Sequence, residues 1–155
     1  MTKVLFVCLG NICRSPMAEF VFKDMAQKAG VADRFYIESA ATSSEEAGNR
    51  MHYGTVAKLK EMNIPLGDKR SRQITREDYA KFDYILGMDS SNIKNILRIV
   101  GDDTENKVCR LLDYSDCPRD IADPWYTGNF DVTYADIVEG CKVFIDYLKI
   151  TKKIF

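Results

Sequence analysis

A cysteine and an arginine near the start of the sequence have the types and spacing of a reactive site. Cys8 ends a short apolar run, and the segment Leu9-Gly10-Asn11-Ile12-Cys13-Arg14-Ser15-Pro16 follows it. Backbone N–H groups in such a loop can converge on one point, where a following helix N-terminus adds positive potential. The guanidinium of Arg14 matches two oxygens of a phosphate group, and these positive groups favour the thiolate form of Cys8. The loop therefore predicts an oxyanion site with Cys8 as its nucleophile.

The residues within this loop have expected local roles. Gly10 and Asn11 are expected to take the left-handed conformations that a tight loop needs. Ser15 is expected to cap a helix that begins at Pro16 and to donate a hydrogen bond to the Cys8 sulfur. A simpler alternative is a buried free cysteine, a surface arginine and an ordinary helix cap. The apolar run before the loop and the Gly-Asn and Ser-Pro pairs favour phosphoryl transfer to sulfur.

The elements that must position this loop follow an alternating strand and helix pattern. Apolar runs predict strands over residues 3–8, 35–41, 82–88 and 107–112. Helices are predicted over 15–30 and 52–62, and from the cap Asp89 to about Val100. A closing helix carries the apolar stripe Tyr134, Ile137, Val138, Cys141, Phe144, Ile145 and Leu148. The pattern predicts a single α/β domain over 1–155, in three layers, with a four-stranded parallel sheet, helices on both faces and the ligand loop after the first strand.

Composition excludes several classes of function. The 155 residues carry a net charge of -1, which argues against a nucleic-acid partner, and no apolar stretch is long enough for a membrane span. The apolar run at the start is too short for a signal peptide, so a cytoplasmic location is expected. The five cysteines do not form a disulfide or zinc pattern, and no metal or cofactor is expected. The single histidine, His52, lies at a helix start and is expected to be exposed and non-catalytic.

A general acid is needed near the loop, and three aspartates are candidates. Asp116, Asp120 and Asp123 lie in one loop-like stretch, and their spacing does not choose among them. Pro124 favours an extended backbone at Asp123. The aromatic pair Trp125 and Tyr126 could form the wall of a pocket for an aromatic substrate.

Taken together, these motifs resemble the low-molecular-weight protein tyrosine phosphatases. The resemblance rests on the Cys-x5-Arg-Ser loop near the start of the chain and on the distant Asp-Pro pair. It extends over essentially the whole chain and includes Ser39-Ala40-Ala41-Thr42-Ser43, the stretch 82–89 and Asp123-Pro124-Trp125-Tyr126. It implies hydrolysis of phosphate monoesters through a cysteinyl-phosphate, with phosphotyrosine proteins or peptides as substrates. Inorganic phosphate or a similar oxyanion would then be the product or an inhibitor.

The resemblance also implies roles for single residues. Asp123 would be the general acid, Asn11 would hold the loop through Ser39, and Asp89 would support Arg14. Leu9 and Ile12 would flank the pocket mouth. Cys13 would form a reversible disulfide with Cys8 that protects the thiolate from irreversible oxidation; the alternative is a small buried apolar residue. The remaining cysteines, Cys109, Cys117 and Cys141, are expected to be packing residues.

Two positions depart from the family pattern. Lys69 stands where many members carry a histidine that belongs to a network around the loop serine, and a lysine cannot accept a hydrogen bond. Glu45 stands near a rim position that is usually bulky and apolar, and with Glu46 it could disfavour acidic substrate sequences.

Three rival functions share this loop or this fold. In the related arginine phosphatases a threonine stands where this chain has Ile12. Thiol-linked arsenate reductases need two further cysteines around the third strand, whereas the next cysteine here is Cys109. A phosphate-binding module without activity would be expected to lack Cys8, Arg14 or Asp123, and all three are present.

Overall fold

Four parallel strands form the centre of the structure, a computed structural model that describes residues 1–151. The strands are β1 (Thr2–Cys8), β2 (Phe35–Ala41), β3 (Tyr84–Gly87) and β4 (Val108–Arg110). Their order in the sheet is β2-β1-β3-β4, so β1 is a central strand. The carboxyl end of β1 lies beside the ends of both neighbours, because Cys8 is opposite Ala41 and Val7 is opposite Gly87. The predicted four-stranded parallel sheet is confirmed.

Helices cover both faces of this sheet. They are α1 (Arg14–Lys28), α2 (Tyr53–Glu61), α3 (Arg76–Lys81), α4 (Ser90–Val100), α5 (Pro124–Thr127) and α6 (Phe130–Thr151), with 3-10 turns at Ala32–Arg34 and Leu111–Tyr114. Alternate side chains of β1 enter opposite cores, as the two-residue period of a strand requires. Phe6 and Cys8 pack on the face of α1 and α6, and Leu5 and Val7 on the face of α4. The predicted three-layer arrangement is therefore confirmed.

Several element boundaries differ from the sequence prediction. Helix α1 begins at Arg14, and Ser15 lies in its first turn instead of capping it. Strands β3 and β4 are shorter than predicted, since the chain leaves the sheet to form neighbouring turns. Helix α3 was not predicted, because its six residues carry almost no apolar pattern; a capping box of Thr75 and Asp78 begins it.

The closing helix agrees with its predicted stripe. Ile137, Cys141, Phe144 and Leu148 are fully buried against the core. The packing role expected for Cys117 is wrong, because this residue lies exposed in the loop that follows the second 3-10 turn. Of the predicted domain over 1–155, the last four residues lie outside the described part. Within residues 1–151, no helix is both long and apolar enough to cross a membrane.

Candidate active site

The sulfur of Cys8 lies at the base of the loop that joins β1 to α1. The backbone N–H groups of Asn11 and Ser15 donate to this Sγ at 3.3 and 3.4 Å. The Ser15 hydroxyl is also within hydrogen-bond distance of it, at 3.1 Å. Cys8 is almost fully buried. The loop backbone therefore converges on the sulfur, which is the arrangement that stabilises negative charge at this point.

Asn11 holds the loop in its tight conformation. Its φ of 55° is in the left-handed region, which asparagine tolerates better than most residues. Its side-chain amide donates to the hydroxyls of Ser15 and Ser39 at 2.7 and 2.9 Å. Its side-chain oxygen accepts the N–H of Arg72 at 3.2 Å. Gly10 does not adopt a positive φ, contrary to the expectation, so Asn11 alone makes the left-handed step in this loop.

Arg14 brings a buried guanidinium to the same point. Its Nη1 donates to the Asp89 carboxylate at 2.7 Å and to the carbonyl of Ile121 at 2.8 Å. Its Nε is buried and makes no hydrogen bond to the protein, so this N–H is available to an oxyanion. Burial opposes the charge of Arg14, but the negative charges of Cys8 and of two aspartates outweigh it and raise the pKa of the guanidinium.

Asp89 combines the two roles considered for it. One carboxylate oxygen accepts the backbone N–H of Asn92 at 2.7 Å and so caps α4. The other oxygen accepts from Arg14. The start of α4 therefore holds the guanidinium in a fixed orientation.

Of the three candidate aspartates, only Asp123 lines the same pocket as Cys8. Asp120 accepts hydrogen bonds from Ser90 and Arg110, and Asp116 is exposed. One oxygen of Asp123 accepts the N–H of Trp125 at 3.1 Å, which caps the short helix α5. The other oxygen lies 3.4 Å from Nη2 of Arg14. We call residues 121–129 the acid loop.

The pocket between the two loops opens to solvent. Its lining comprises Cys8, Leu9, Gly10, Ile12, Cys13, Ser43, Glu45, Glu46, Asp123, Trp125 and Tyr126. All five predicted wall residues, Leu9, Ile12, Glu45, Trp125 and Tyr126, are in that set. Ser43 and Glu46 also line the pocket, although neither was predicted as a wall residue. A Cβ built on Gly10 would lie 3.4 Å from Cγ of Glu46, so this glutamate packs on the loop itself.

A polar network behind the loop includes residues that the sequence analysis missed. The Ser39 hydroxyl donates to the buried carboxylate of Glu19 at 2.6 Å. The signal for Glu19 was an acidic residue among the apolar positions of the first helix. Ser71 donates to the carbonyl of Gly10 at 2.8 Å. Lys69 donates to the carbonyl of Ser39 at 2.7 Å, so it contacts the network through the backbone, and burial lowers the pKa of its amine.

Cys13 and His52 are both less exposed to solvent than a surface position would be. Cys13 is buried, and burial, with the negative charges of Cys8 and Asp123, raises the pKa of its thiol to about 12. Cys13 therefore stays a thiol at neutral pH. The expectation that His52 is exposed is wrong, since its ring is half-buried against Trp125 and Phe130.

The fold and the pocket together define a class of protein. A parallel α/β sheet carries an oxyanion loop after its first strand, with a sulfur at the base of the loop and a carboxylate in the lining of the same pocket. That combination is typical of small phosphatases that act on phosphate monoesters.

Comparisons with known proteins identify the family within this class. The family model for low molecular weight phosphotyrosine protein phosphatase matches residues 3–154. The low molecular weight protein-tyrosine-phosphatase YfkJ of Bacillus subtilis is 40% identical, covering 99% of this chain and 100% of the relative. The human low molecular weight phosphotyrosine protein phosphatase is 40% identical over 92% of this chain and 93% of its own length. The chain belongs to the low-molecular-weight phosphotyrosine protein phosphatase family and is an enzyme of this type.

Solved structures agree with the fold. The crystal structure of Bacillus subtilis YfkJ has a TM-score of 0.95 at 39% identity and covers 98% of this chain and 97% of that one. The arginine phosphatase YwlE, in a cysteine-to-serine mutant with a phosphorylated active-site serine, has a TM-score of 0.85 at 28% identity. It covers 99% of this chain and 100% of its own.

Proposed function

We propose that this enzyme hydrolyses phosphotyrosine in proteins or peptides, with Cys8 as nucleophile and Asp123 as general acid. The observation that carries the proposal is the convergence of two backbone N–H groups on the Cys8 sulfur, together with the buried and unpartnered Nε–H of Arg14 at the end of the same loop. Donors in this arrangement stabilise the charge that develops on a transferring phosphoryl group. Phosphoprotein substrates follow from the family.

The first step forms a cysteinyl-phosphate. The Cys8 thiolate attacks phosphorus, the bond to the tyrosine oxygen breaks, and Asp123 gives its proton to the leaving phenolate. The position of Asp123 in the lining of the same pocket as Cys8 supports this role.

The second step releases inorganic phosphate. Water attacks phosphorus, the carboxylate of Asp123 takes its proton, and the sulfur–phosphorus bond breaks to return the thiolate. The Ser15 hydroxyl lies 3.1 Å from the sulfur and donates to it as it departs, because a thiolate has no proton and can only accept. The phosphorylated active-site serine of the YwlE mutant supports a covalent intermediate at the matching position.

The walls of the pocket favour tyrosine over arginine as the phosphorylated residue. Trp125 and Tyr126 present exposed aromatic faces on one side of the opening, which suits a flat phenyl ring. Ile12 supplies an apolar contact on the wall and no hydroxyl.

The test compares phosphotyrosine, phosphoserine and phosphoarginine peptides of otherwise equal sequence. We expect turnover of the phosphotyrosine peptide only, its loss in Cys8→Ser, and a decrease in kcat/KM of about 10²- to 10⁴-fold in Asp123→Asn. Cys117→Ser is the matched control, because this cysteine is exposed and does not line the pocket. Undiminished turnover by Cys8→Ser would contradict the mechanism. Faster turnover of phosphoarginine would assign the enzyme to the arginine phosphatases instead.

We propose further that Cys13 protects Cys8 from irreversible oxidation. Peroxide converts the Cys8 thiolate to a sulfenic acid, and the Cys13 thiol then condenses with it to give a disulfide and water. Both cysteines lie in the same short loop and are free thiols here. The thiol form of Cys13 leaves the reaction with peroxide to Cys8.

Activity after peroxide treatment tests this protection. The wild type and Cys117→Ser should regain activity with a thiol reductant, whereas Cys13→Ala should regain little. Because the pKa of Cys13 is raised to about 12, disulfide formation should accelerate as the pH rises from 7 to 9. Equal recovery by Cys13→Ala and the wild type would show that the loop disulfide does not form.

We also propose that the enzyme acts in the cytoplasm. A catalytic thiol must stay reduced, and the five free cysteines of the chain are typical of a reducing compartment.

A further inference from the structure

We propose that His52 is a positioning residue that holds the acid loop against residues 8–15, here called the phosphate-binding loop. The proposal rests on the role of Asp123 as general acid. It concerns the single histidine of the chain, which makes no contact with the Cys8 sulfur and does not line the pocket.

The backbone of His52 is fixed to the phosphate-binding loop. Its N–H donates to the carbonyl of Ile12 at 2.9 Å. One turn further along α2, the hydroxyl of Thr55 donates to the carbonyl of Cys13 at 3.1 Å. Thr55 is fully buried. The start of α2 therefore keeps a constant position relative to the loop that binds the phosphoryl group.

The ring of His52 is fixed in turn to its own backbone segment. Its Nδ1 accepts the N–H of Gly54 at 3.0 Å and so caps α2. Because Nδ1 is the acceptor, the proton of the neutral ring lies on Nε2. This bond sets the orientation of the imidazole.

The same ring contacts both ends of the segment that follows Asp123. It meets the Trp125 ring edge-on, with centroids 5.7 Å apart at 79°. It stacks on the Phe130 ring, with centroids 5.3 Å apart at 22°. Trp125 is itself bonded to Asp123 through its N–H. A continuous chain of contacts therefore runs from Ile12 through His52 to the carboxylate of the acid.

Gly54 is the residue that allows this approach. A Cβ at Gly54 would lie 2.4 Å from the Phe130 ring, so any larger residue would push the ring away. Lys58 also joins α2 to α6, through an ion pair with the exposed Asp131 at 2.7 Å and through its ammonium, which lies 5.4 Å from the centroid of the Tyr134 ring. Because the Asp131 carboxylate is exposed, the ion pair contributes little, and among the ring contacts within residues 1–151 only those of His52 reach both Trp125 and Phe130.

Variants of His52 distinguish a residue that only caps α2 from one that also positions Asp123. Asparagine and aspartate are good helix caps, so His52→Asn and His52→Asp keep the cap of α2 and remove only the ring. If His52 served as a cap, both variants would be fully active. If the ring positions Asp123, both should lose activity on substrates whose leaving group needs a proton.

The experiment compares phenyl phosphate with p-nitrophenyl phosphate, whose nitrophenolate leaves readily without protonation. We expect His52→Asn to lower kcat/KM for phenyl phosphate by about 10- to 100-fold, the cost typical of a misplaced catalytic group, and for p-nitrophenyl phosphate much less. Phe130→Leu should show the same selective loss, since it removes the stacking partner and keeps the cap. Asp131→Asn, which removes the ion pair with Lys58 and leaves the His52 ring contacts in place, is the matched control and should resemble the wild type.

A double-mutant cycle separates this proposal from the function on which it rests. In an Asp123→Asn background, His52→Asn should cause no further loss, because the acid it positions is absent. An equal loss for both substrates, or a full additional loss in the Asp123→Asn background, would overturn the positioning role. If Asp123→Asn alone showed no dependence on the leaving group, the assignment of the acid itself would fail. Thermal unfolding of each variant identifies losses that come from misfolding.

Discussion

At the scale of single residues, Asn11 shows how one side chain fixes the geometry of the site. Its amide satisfies two buried hydroxyls, and its oxygen accepts a backbone N–H. If the side chain were shortened, the Arg72 N–H would lose this acceptor, and the hydroxyls of Ser15 and Ser39 would each lose one donor while keeping their contacts with Cys8 and Glu19. The left-handed backbone of Asn11 would also cost more for alanine than for asparagine.

We therefore expect Asn11→Ala to lower the free energy of unfolding by about 3 kcal/mol, since three hydrogen bonds of about 0.5–1.5 kcal/mol each are lost. The loop would also lose its geometry, and kcat/KM should decrease by about 100-fold. Urea unfolding and phosphotyrosine hydrolysis measure the two effects. Asn63→Ala is the matched control, because Asn63 has a φ of 57° but is exposed. It should lose about 1 kcal/mol and keep its activity. Equal effects at the two sites would show that the Asn11 network contributes nothing.

The acidic rim of the pocket leads to a prediction about substrate sequence. Glu45 and Glu46 both line the opening, and Glu46 is held by a 2.7 Å hydrogen bond from Asn49. Peptides with lysine or arginine beside the phosphotyrosine should have a kcat/KM about two- to fivefold higher than acidic peptides, as expected for exposed charge pairs. The preference should decrease in Glu45→Gln and in Glu46→Gln, and at high salt. A preference that salt does not change would exclude this electrostatic origin.

At the scale of elements, the close contact of α6 with the turn after β4 depends on a glycine. Gly140 lies within α6, where alanine would normally be favoured by about 1 kcal/mol. A Cβ there would lie 2.5 Å from Cγ of the fully buried Leu111. Overpacking of this kind costs about 1–3 kcal/mol, so the clash outweighs the gain in helix propensity.

Gly140→Ala should therefore destabilise the protein by about 1 kcal/mol, measured by urea unfolding. In a Leu111→Ala background the clash is removed, and the same substitution should become stabilising. A stabilising effect of Gly140→Ala in the otherwise unchanged protein would contradict the close packing of these two elements.

The elements that the sequence predicts well are those with a strong apolar period. The strands and the closing helix bury continuous faces, and the oxyanion loop is marked by its local residues. Helix α3 was missed because its capping residues, Thr75 and Asp78, are not accompanied by an apolar stripe. The start of α1 was placed too late because Ser15 interacts with Cys8 instead of capping the helix.

The residues of the site that sequence reasoning missed act across long separations in the chain. Glu19 meets Ser39 only because α1 packs beside β2, and Ser71 reaches the carbonyl of Gly10 from a loop 61 residues further along the chain. His52 was expected to be exposed because nothing in its local sequence indicates the ring of Phe130. Such contacts depend on how the elements pack, and a local pattern does not contain that information.

At the scale of the whole molecule, oxyanion binding should be linked to folding stability. A ligand at 100 times its Kd that binds only the folded state stabilises it by about 2.7 kcal/mol. Inorganic phosphate should therefore raise the Tm, by about 2–4 °C for each kcal/mol in a protein of this size.

Arg14→Lys keeps the charge but loses the planar pair of donors, so phosphate should raise its Tm much less. Arg98→Lys is the matched control, because Arg98 lies on the exposed face of α4. Chloride at equal ionic strength should have no comparable effect on the wild type. An equal phosphate shift in Arg14→Lys would place the binding site elsewhere.

The central position of β1 has a consequence for how activity appears during synthesis and refolding. The reactive sulfur lies at the end of the strand that pairs with both β2 and β3, and the proposed acid lies beyond all four strands in the chain. A growing polypeptide exposes its cysteine early and completes its catalytic pair late. Parallel pairing of distant strands is a slow step in folding. Recovery of phosphatase activity should therefore report the last stage of folding, after assembly of the sheet.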